Sequence, residues 1–177
     1  SGRAVPLPAT ASFETGATLG VPAMTACRAL ACDGGVQGKR VLVQGGSGAV
    51  AHYAIQLARH LGASSVVAIV GGEPQARLAQ SAGADLVIDR TGDVRAELRA
   101  AFGSVDCIDR VVEVEFGRNL AFDIEVLREG GVLVAYGSDQ VREPVFPFGA
   151  ALYRDLLLRC LLIYLTPPDE TARIVSV

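Results

Sequence analysis

The sequence predicts an α/β fold: a doubly wound, six-stranded parallel sheet covered by helices on both faces. Three observations predict it. Short, solid apolar runs alternate with longer amphipathic ones along most of the chain. The links between them are short, which for parallel neighbours requires right-handed crossovers packed onto the sheet. Half of the 177 residues are apolar and only 20% are charged, as expected where strands are buried on both faces rather than on one.

Residues 1–22, with Pro6, Pro8 and Pro22 among Ala, Thr and Gly, read as an extended lead-in to a folded domain over 23–177. AMTACRALAC (Ala23–Cys32) has helical spacing and is stopped by Asp33–Gly34–Gly35. KRVLVQ (Lys39–Gln44) is the first strand, and Gly48–Leu61 the helix after it. SVVAIV (Ser65–Val70) is the second strand, followed by a helix over Glu73–Ala82 that Gly83 ends. Asp85–Ile88 and Arg110–Val114 read as the third and fourth strands, with helices near Asp93–Phe102 and Arg118–Leu127. GVLVAY (Gly131–Tyr136) is the fifth strand. A Pro-rich loop, a short helix near Phe148–Asp155 and a sixth strand over Leu158–Leu165 follow, and Thr166–Pro167–Pro168 opens a last helix.

The net charge of −3 and the scatter of the basic residues exclude nucleic acid and anionic membrane as the main ligand. No apolar run approaches the roughly 20 residues that span a bilayer. The first residues, Ser1–Pro6, lack the pattern of a signal peptide, so a cytoplasmic location is expected. Cys27, Cys32, Cys107 and Cys160 form no CxxC pair and read as buried, reduced thiols rather than metal ligands. His52 and His60, on the helix after the first strand, read as surface residues.

The first strand runs directly into VLVQ-GGSGAVA, where glycines open the following helix. A tight turn there needs residues that accept positive φ and let a phosphate approach the backbone. The helix N-terminus then offers unpaired N–H groups and partial positive charge to that phosphate. Gly45, Gly48 and Ala51 stand at G-x-x-G-x-x-A spacing; Ala51 takes the place where close helix–strand packing is needed. Between a first strand and a first helix, this motif marks a dinucleotide-binding Rossmann fold, with Gly45, Ser47 and Gly48 of the turn as candidate cofactor-binding residues. A P-loop would close on Gly-Lys-Ser/Thr, whereas this turn closes on Gly48–Ala49–Val50. A methyltransferase would need an acid at the tip of the second strand, which here ends Ile69–Val70–Gly71–Gly72.

The same tip selects the cofactor. NAD sites place Asp or Glu roughly 20 residues past the turn to hold the ribose 2′-OH. Val70 and Gly71 stand there instead, leaving space for a 2′-phosphate and no charge to repel it, so NADP(H) is expected. Glu73 opposes this in part. The matching positive charge is sought in Arg77, on the next helix, or Arg90, past the third strand; both are also ordinary solvated charges.

LGVPAMTACRAL (Leu19–Leu30), GKRVLVQGGSGAVAHYAIQLARHLGA and SAGADLVID together resemble quinone oxidoreductases of the zeta-crystallin type, in the medium-chain dehydrogenase/reductase superfamily. The resemblance implies the cofactor domain of a two-domain, NADPH-dependent enzyme, whose GroES-like domain would lie outside this chain. It further implies that Thr25 lies near the nicotinamide or phosphate end, Gly48, Ala49 and Val50 under the pyrophosphate, Gly71 near the adenosine ribose and Arg90 near the 2′-phosphate. Gly137, Ser138, Ile163 and Tyr164 would face the nicotinamide. Ala49 and Ala51 depart from the glycines usual in that family, and Gln75 from a frequent lysine. Zinc alcohol dehydrogenases share the architecture and place a cysteine ligand where this chain has Val21, so the resemblance implies the metal-free branch.

In that branch the cofactor carries the chemistry, hydride passing to a quinone or an activated enone, and no side chain of this chain is expected to act as an essential acid or base. Tyr53 reads as a packing residue. Family members pair through edge strands, which implies a homodimer through residues 156–165. Two other readings stay open: a non-catalytic nucleotide-binding or dimerisation module, and the enoyl-reductase module of a polyketide-type synthase.

Overall fold

In the computed structural model, which describes residues 6–176, six strands form one parallel sheet. They are β1 (Arg40–Gln44), β2 (Ser65–Val70), β3 (Leu86–Asp89), β4 (Ile108–Glu113), β5 (Leu127–Ala135) and β6 (Leu157–Cys160), in the order 3-2-1-4-5-6. Helices α1 (Phe13–Thr18), α2 (Met24–Ala31), α3 (Ala49–His60), α4 (Glu73–Ser81), α5 (Val94–Phe102), α6 (Phe116–Val126), α7 (Phe148–Leu152) and α8 (Pro168–Val175) complete the chain.

The solid apolar runs are explained by two cores. Alternate strand residues point to opposite faces: Val41, Val43, Val66 and Ala68 join one core, Leu42, Val67 and Ile69 the other. The first core is built with small residues: Ala26 and Ala29 of α2, Ala51, Ala54 and Ala58 of α3 and Ala79 of α4. Ala51 is buried there, in keeping with the close helix–strand packing expected at this position. The second core takes Leu98 of α5, Leu120 and Ile124 of α6 and Ala151 of α7. No helix among the described residues is long and apolar enough to cross a membrane.

The lead-in departs from the expected extended chain. Its first five residues lie outside the described ones, but from Phe13 it is helical. Ser12 caps α1, its hydroxyl accepting the Thr15 N–H at 3.1 Å, and Glu14 complements the helix dipole in the first turn. One π-type turn, Leu19–Ala23, joins α1 to α2, with Gly20 out of helical geometry and Pro22 inside it. The residues that read as breakers mark this irregular joint. Thr18 Oγ donates to Thr15 O at 2.8 Å and so accepts from the Tyr53 hydroxyl of α3 at 2.6 Å, fastening the lead-in to α3. The sixth strand is also shorter than expected. It pairs with β5 only up to Ala135, where Leu161 N–H bonds Ala135 O at 2.8 Å and the partner strand ends. Ile163–Leu165 consequently turn as a short 3-10 helix. The cysteines are free, but only Cys27 and Cys107 are buried; Cys160 is exposed.

Arg110 is a fully buried guanidinium inside the sheet. Nη1 donates to Ala29 O at 2.6 Å, and Nη2 to Cys32 O at 2.8 Å and Asp33 O at 3.2 Å, so the cation closes the carbonyl end of α2. Asp33, at φ +48°, holds Arg159 of β6 through its carboxylate. Replacing Arg110 by Met removes charge-assisted bonds and leaves buried carbonyls unpaired. We expect Arg110→Met to lower unfolding stability by about 3 kcal/mol, measured by urea denaturation.

Candidate functional site

The connections leaving β1 and β4 run in opposite directions, α3 packing on one face of the sheet and α6 on the other. The carboxyl ends of these two neighbouring strands are therefore left uncovered, the position where open α/β sheets bind ligands. A cavity of about 650 Å³ opens there, lined among others by Gln44, Gly45, Arg90, Arg118 and Asn119. A second, of about 470 Å³, lies at the ends of β5 and β6, where Gly137, Ser138, Cys160 and Leu162 meet Arg28.

The glycine turn is built for close approach. Gly45 sits at φ +66°, and Gly48 forms the N-cap of α3 with no side chain bonding the free N–H groups of the first turn. Gly48 and Ala49 are exposed, so the N-terminus of this twelve-residue helix faces solvent with Ser47 and Val50 partly covered beside it. Gly46, which the spacing did not single out, holds the turn against β2: its N–H donates to Ile69 O at 2.9 Å, and an added Cβ would stand 2.9 Å from Ala68 Cβ.

At the tip of β2 the two candidate cations separate. Arg90 lies flat on Gly71, whose Cβ position is 3.2 Å from Arg90 Nη2 and 3.3 Å from Cζ, and it has no carboxylate partner among the described residues. Arg77 instead pairs with Glu73 at 3.0 Å on the exposed face of α4 and lines neither cavity. This pair engages the Glu73 carboxylate, the acid nearest in sequence to the tip of β2. Thr25 is buried on α2 and also lines neither cavity. Ile163, on the 3-10 turn rather than on a strand, packs against the first core, while Leu162 and Leu165 line the smaller cavity and Tyr164 is exposed.

The loop after β5 is tied to the end of β4. Ser138 Oγ accepts the Gly117 N–H at 2.9 Å and donates to Val141 O at 2.5 Å. Glu115 accepts the N–H groups of Asp139 at 3.0 Å and Gln140 at 2.9 Å. These backbone donors, Asp139 first, hold its carboxyl below the usual range. Sequence reasoning missed Gln44, Glu115, Arg118 and Asn119, which the observed adjacency of β1 and β4 brings to one crevice.

The fold and its crevice are those of a Rossmann-type dinucleotide-binding domain. A family model described as zinc-binding dehydrogenase matches residues 49–175, and the chain belongs to that family, on the quinone-oxidoreductase-like side of the medium-chain dehydrogenases/reductases. It is 35% identical over 135 residues to a quinone oxidoreductase of Mus musculus, covering 75% of this chain and 40% of that protein. It is 35% identical over 141 residues to a 2-methylene-furan-3-one reductase of Solanum lycopersicum, covering 80% of this chain and 34% of the relative. The quinone oxidoreductase of Thermus thermophilus, solved also in complex with NADPH, superposes with a TM-score of 0.80 at 30% identity, over 97% of this chain and 54% of that one. The chain thus spans about half or less of the length of these relatives.

A carboxyl lowered in the folded state contributes stability above its unfolded pKa, near 4.3 for Glu, and loses it as pH falls through the folded value. Residues 138–141 are accordingly expected to be tied down at neutral pH and to loosen in acid. Glu115→Gln should reproduce the loosening at pH 7, read as faster amide hydrogen exchange at Asp139 and Gln140. Unchanged exchange at both would refute the role.

Proposed function

We propose that this chain is the NADP(H)-binding part of a zinc-independent, quinone-oxidoreductase-like reductase acting on a quinone or an activated enone. One observation carries the cofactor preference. At the tip of β2, where NAD sites place a carboxylate, Gly71 has no side chain and a guanidinium without a carboxylate partner rests in its place. A 2′-phosphate fits that arrangement by charge and by the planar donor fork of arginine. The relatives named above support the reading, through the NADPH complex of the Thermus protein and through the quinone and enone reductions their names describe.

The residues fit such a cofactor along the crevice. The first N–H groups of α3 would hold the pyrophosphate, Arg90 and Gly71 the adenosine 2′-phosphate, and Gly137 with its neighbours the nicotinamide end, in the smaller cavity. Bound in reduced form, the cofactor supplies hydride. This chain's part is to orient it and to exclude water from one side, with no acid or base of its own. Zinc independence is part of the proposal and is supported by Val21, which offers no ligand atom where zinc alcohol dehydrogenases place a cysteine. Four free thiols accord with a reducing compartment such as the cytoplasm.

A homodimer is part of the proposal. β6 is a sheet edge with Leu157 and Leu158 exposed, and Tyr153, at 89% exposure, stands beside it. An uncovered apolar edge invites strand pairing. That edge also favours the second reading, a nucleotide-binding or dimerisation module without turnover; quinone-dependent NADPH oxidation distinguishes the two.

Arg90→Ala should weaken NADPH binding by roughly 10- to 100-fold, the worth of a lost charged contact of about 1.5–3 kcal/mol, while NADH affinity changes little. Gly71→Asp should displace Arg90 and shift preference towards NADH. Isothermal titration with both cofactors reads the outcome, and an equal loss for both in Arg90→Ala would refute the 2′-phosphate assignment.

A further inference from the structure

Two carboxyls that the proposed reaction leaves unused lie under the larger crevice. Glu113, the last residue of β4, and Asp123, in α6, are both fully buried. Among the described residues neither bonds a cation. Glu113 is well supplied with donors: the Glu115 N–H bonds Oε1, and the Asn119 amide nitrogen approaches its two oxygens at 3.1 and 3.2 Å. Asp123 accepts a single bond, from Gln44 Nε2 to Oδ1 at 2.9 Å, and its Oδ2 is buried without a partner.

Two negative charges in so dry a place would each carry a desolvation penalty of several kcal/mol with no cation to offset it. One proton removes one of the charges. The donor inventory says where it resides. Glu113 has N–H donors enough for an anion, whereas Asp123 has an oxygen that accepts nothing and gains a use only as a hydroxyl donor. Burial first, then the charge and hydrogen bonding of Glu113, hold the Asp123 carboxyl well above its ordinary range, with the Gln44 amide acting the other way. The other titratable group facing the pair, Tyr136 past the end of β5, is raised by burial and by the Glu113 charge, and stays a neutral phenol.

We propose that Asp123 is protonated and donates to Glu113, and that this shared proton positions Gln44 and Asn119 on the two walls of the nucleotide crevice. Gln44 leads into the glycine turn, and Asn119 stands on α6 across from it; both line the cavity. The residues are positioning residues, and the binding half of the proposal rests on the nucleotide reading given above.

Because the folded state binds the extra proton, stability declines as pH rises from the ordinary Asp value, about 3.9, towards the raised folded value, and falls no further beyond it. Asp123→Asn is a neutral isostere of the protonated acid, its oxygen still accepting from Gln44 and its nitrogen donating to Glu113. Its unfolding midpoint should therefore rise relative to wild type as pH increases from about 4 to about 8. A gap that stays constant with pH, or widens in acid, would overturn the proposal. An infrared carbonyl band of a protonated carboxyl should be present in wild type at pH 7 and lost in Asp123→Asn; its absence from wild type would overturn it as well. For the positioning role, Asp123→Ala should raise the NADPH Kd about tenfold and Asp123→Asn should restore most of it; a failure of that rescue would reject the role. Wild type that binds no NADPH yet shows both proton signatures would overturn the nucleotide reading and the positioning role together, leaving the shared proton established.

Discussion

The molecule depends on one topological constraint: β1 and β4 lie side by side while the chain leaves them in opposite directions. No crossover roofs the carboxyl ends of this pair. The gap cannot be closed by local adjustment, because right-handed crossovers put α3 and α6 on opposite faces. Whatever groups stand at the ends of β1 and β4 therefore meet solvent, a ligand or each other. In this chain they are a glycine turn above and a pair of buried carboxyls below.

That placement explains why the small-residue core lies on one face. α3 must begin close to the sheet if its first N–H groups are to point into the gap, and α2 must pack close to α3. Ala26, Ala29, Ala51, Ala54 and Ala58 keep those distances short. The opposite face, which carries no such requirement, is filled with Leu and Ile from α5 and α6. The two cores differ in composition because only one of them sets the height of the glycine turn.

Much of this was legible in the residues themselves. Strand–helix alternation, the glycine spacing and the missing acid after β2 each have a local signature, and the structure follows them closely. The errors concern residues whose partners are distant in sequence. Arg77 and Arg90 look equivalent along the chain; only the fold lays one on Gly71 and the other against Glu73, although the four-residue spacing of that pair was itself a hint. Arg110 and Glu113 stand within the segment that reads as the fourth strand, and the α2 carbonyls and the Asn119 amide that make their burial tolerable are invisible locally. The lead-in and the sixth strand failed for related reasons. Ser12 offered a cap that the nearby prolines obscured, and β6 ends where its neighbour does, which no property of Leu158–Leu165 announces.

The hydroxyl contact between Tyr53 and Thr18 has a mechanical consequence. It bolts the segment before α2 to the second turn of the helix whose open end faces the crevice. Tension or torsion arriving through residues 6–12 is thereby delivered to α3 rather than absorbed at the π-type joint, whose Gly20 would otherwise act as a loose swivel. The entry of the chain into the domain works as a lever with its fulcrum one helical turn from the open amides of α3.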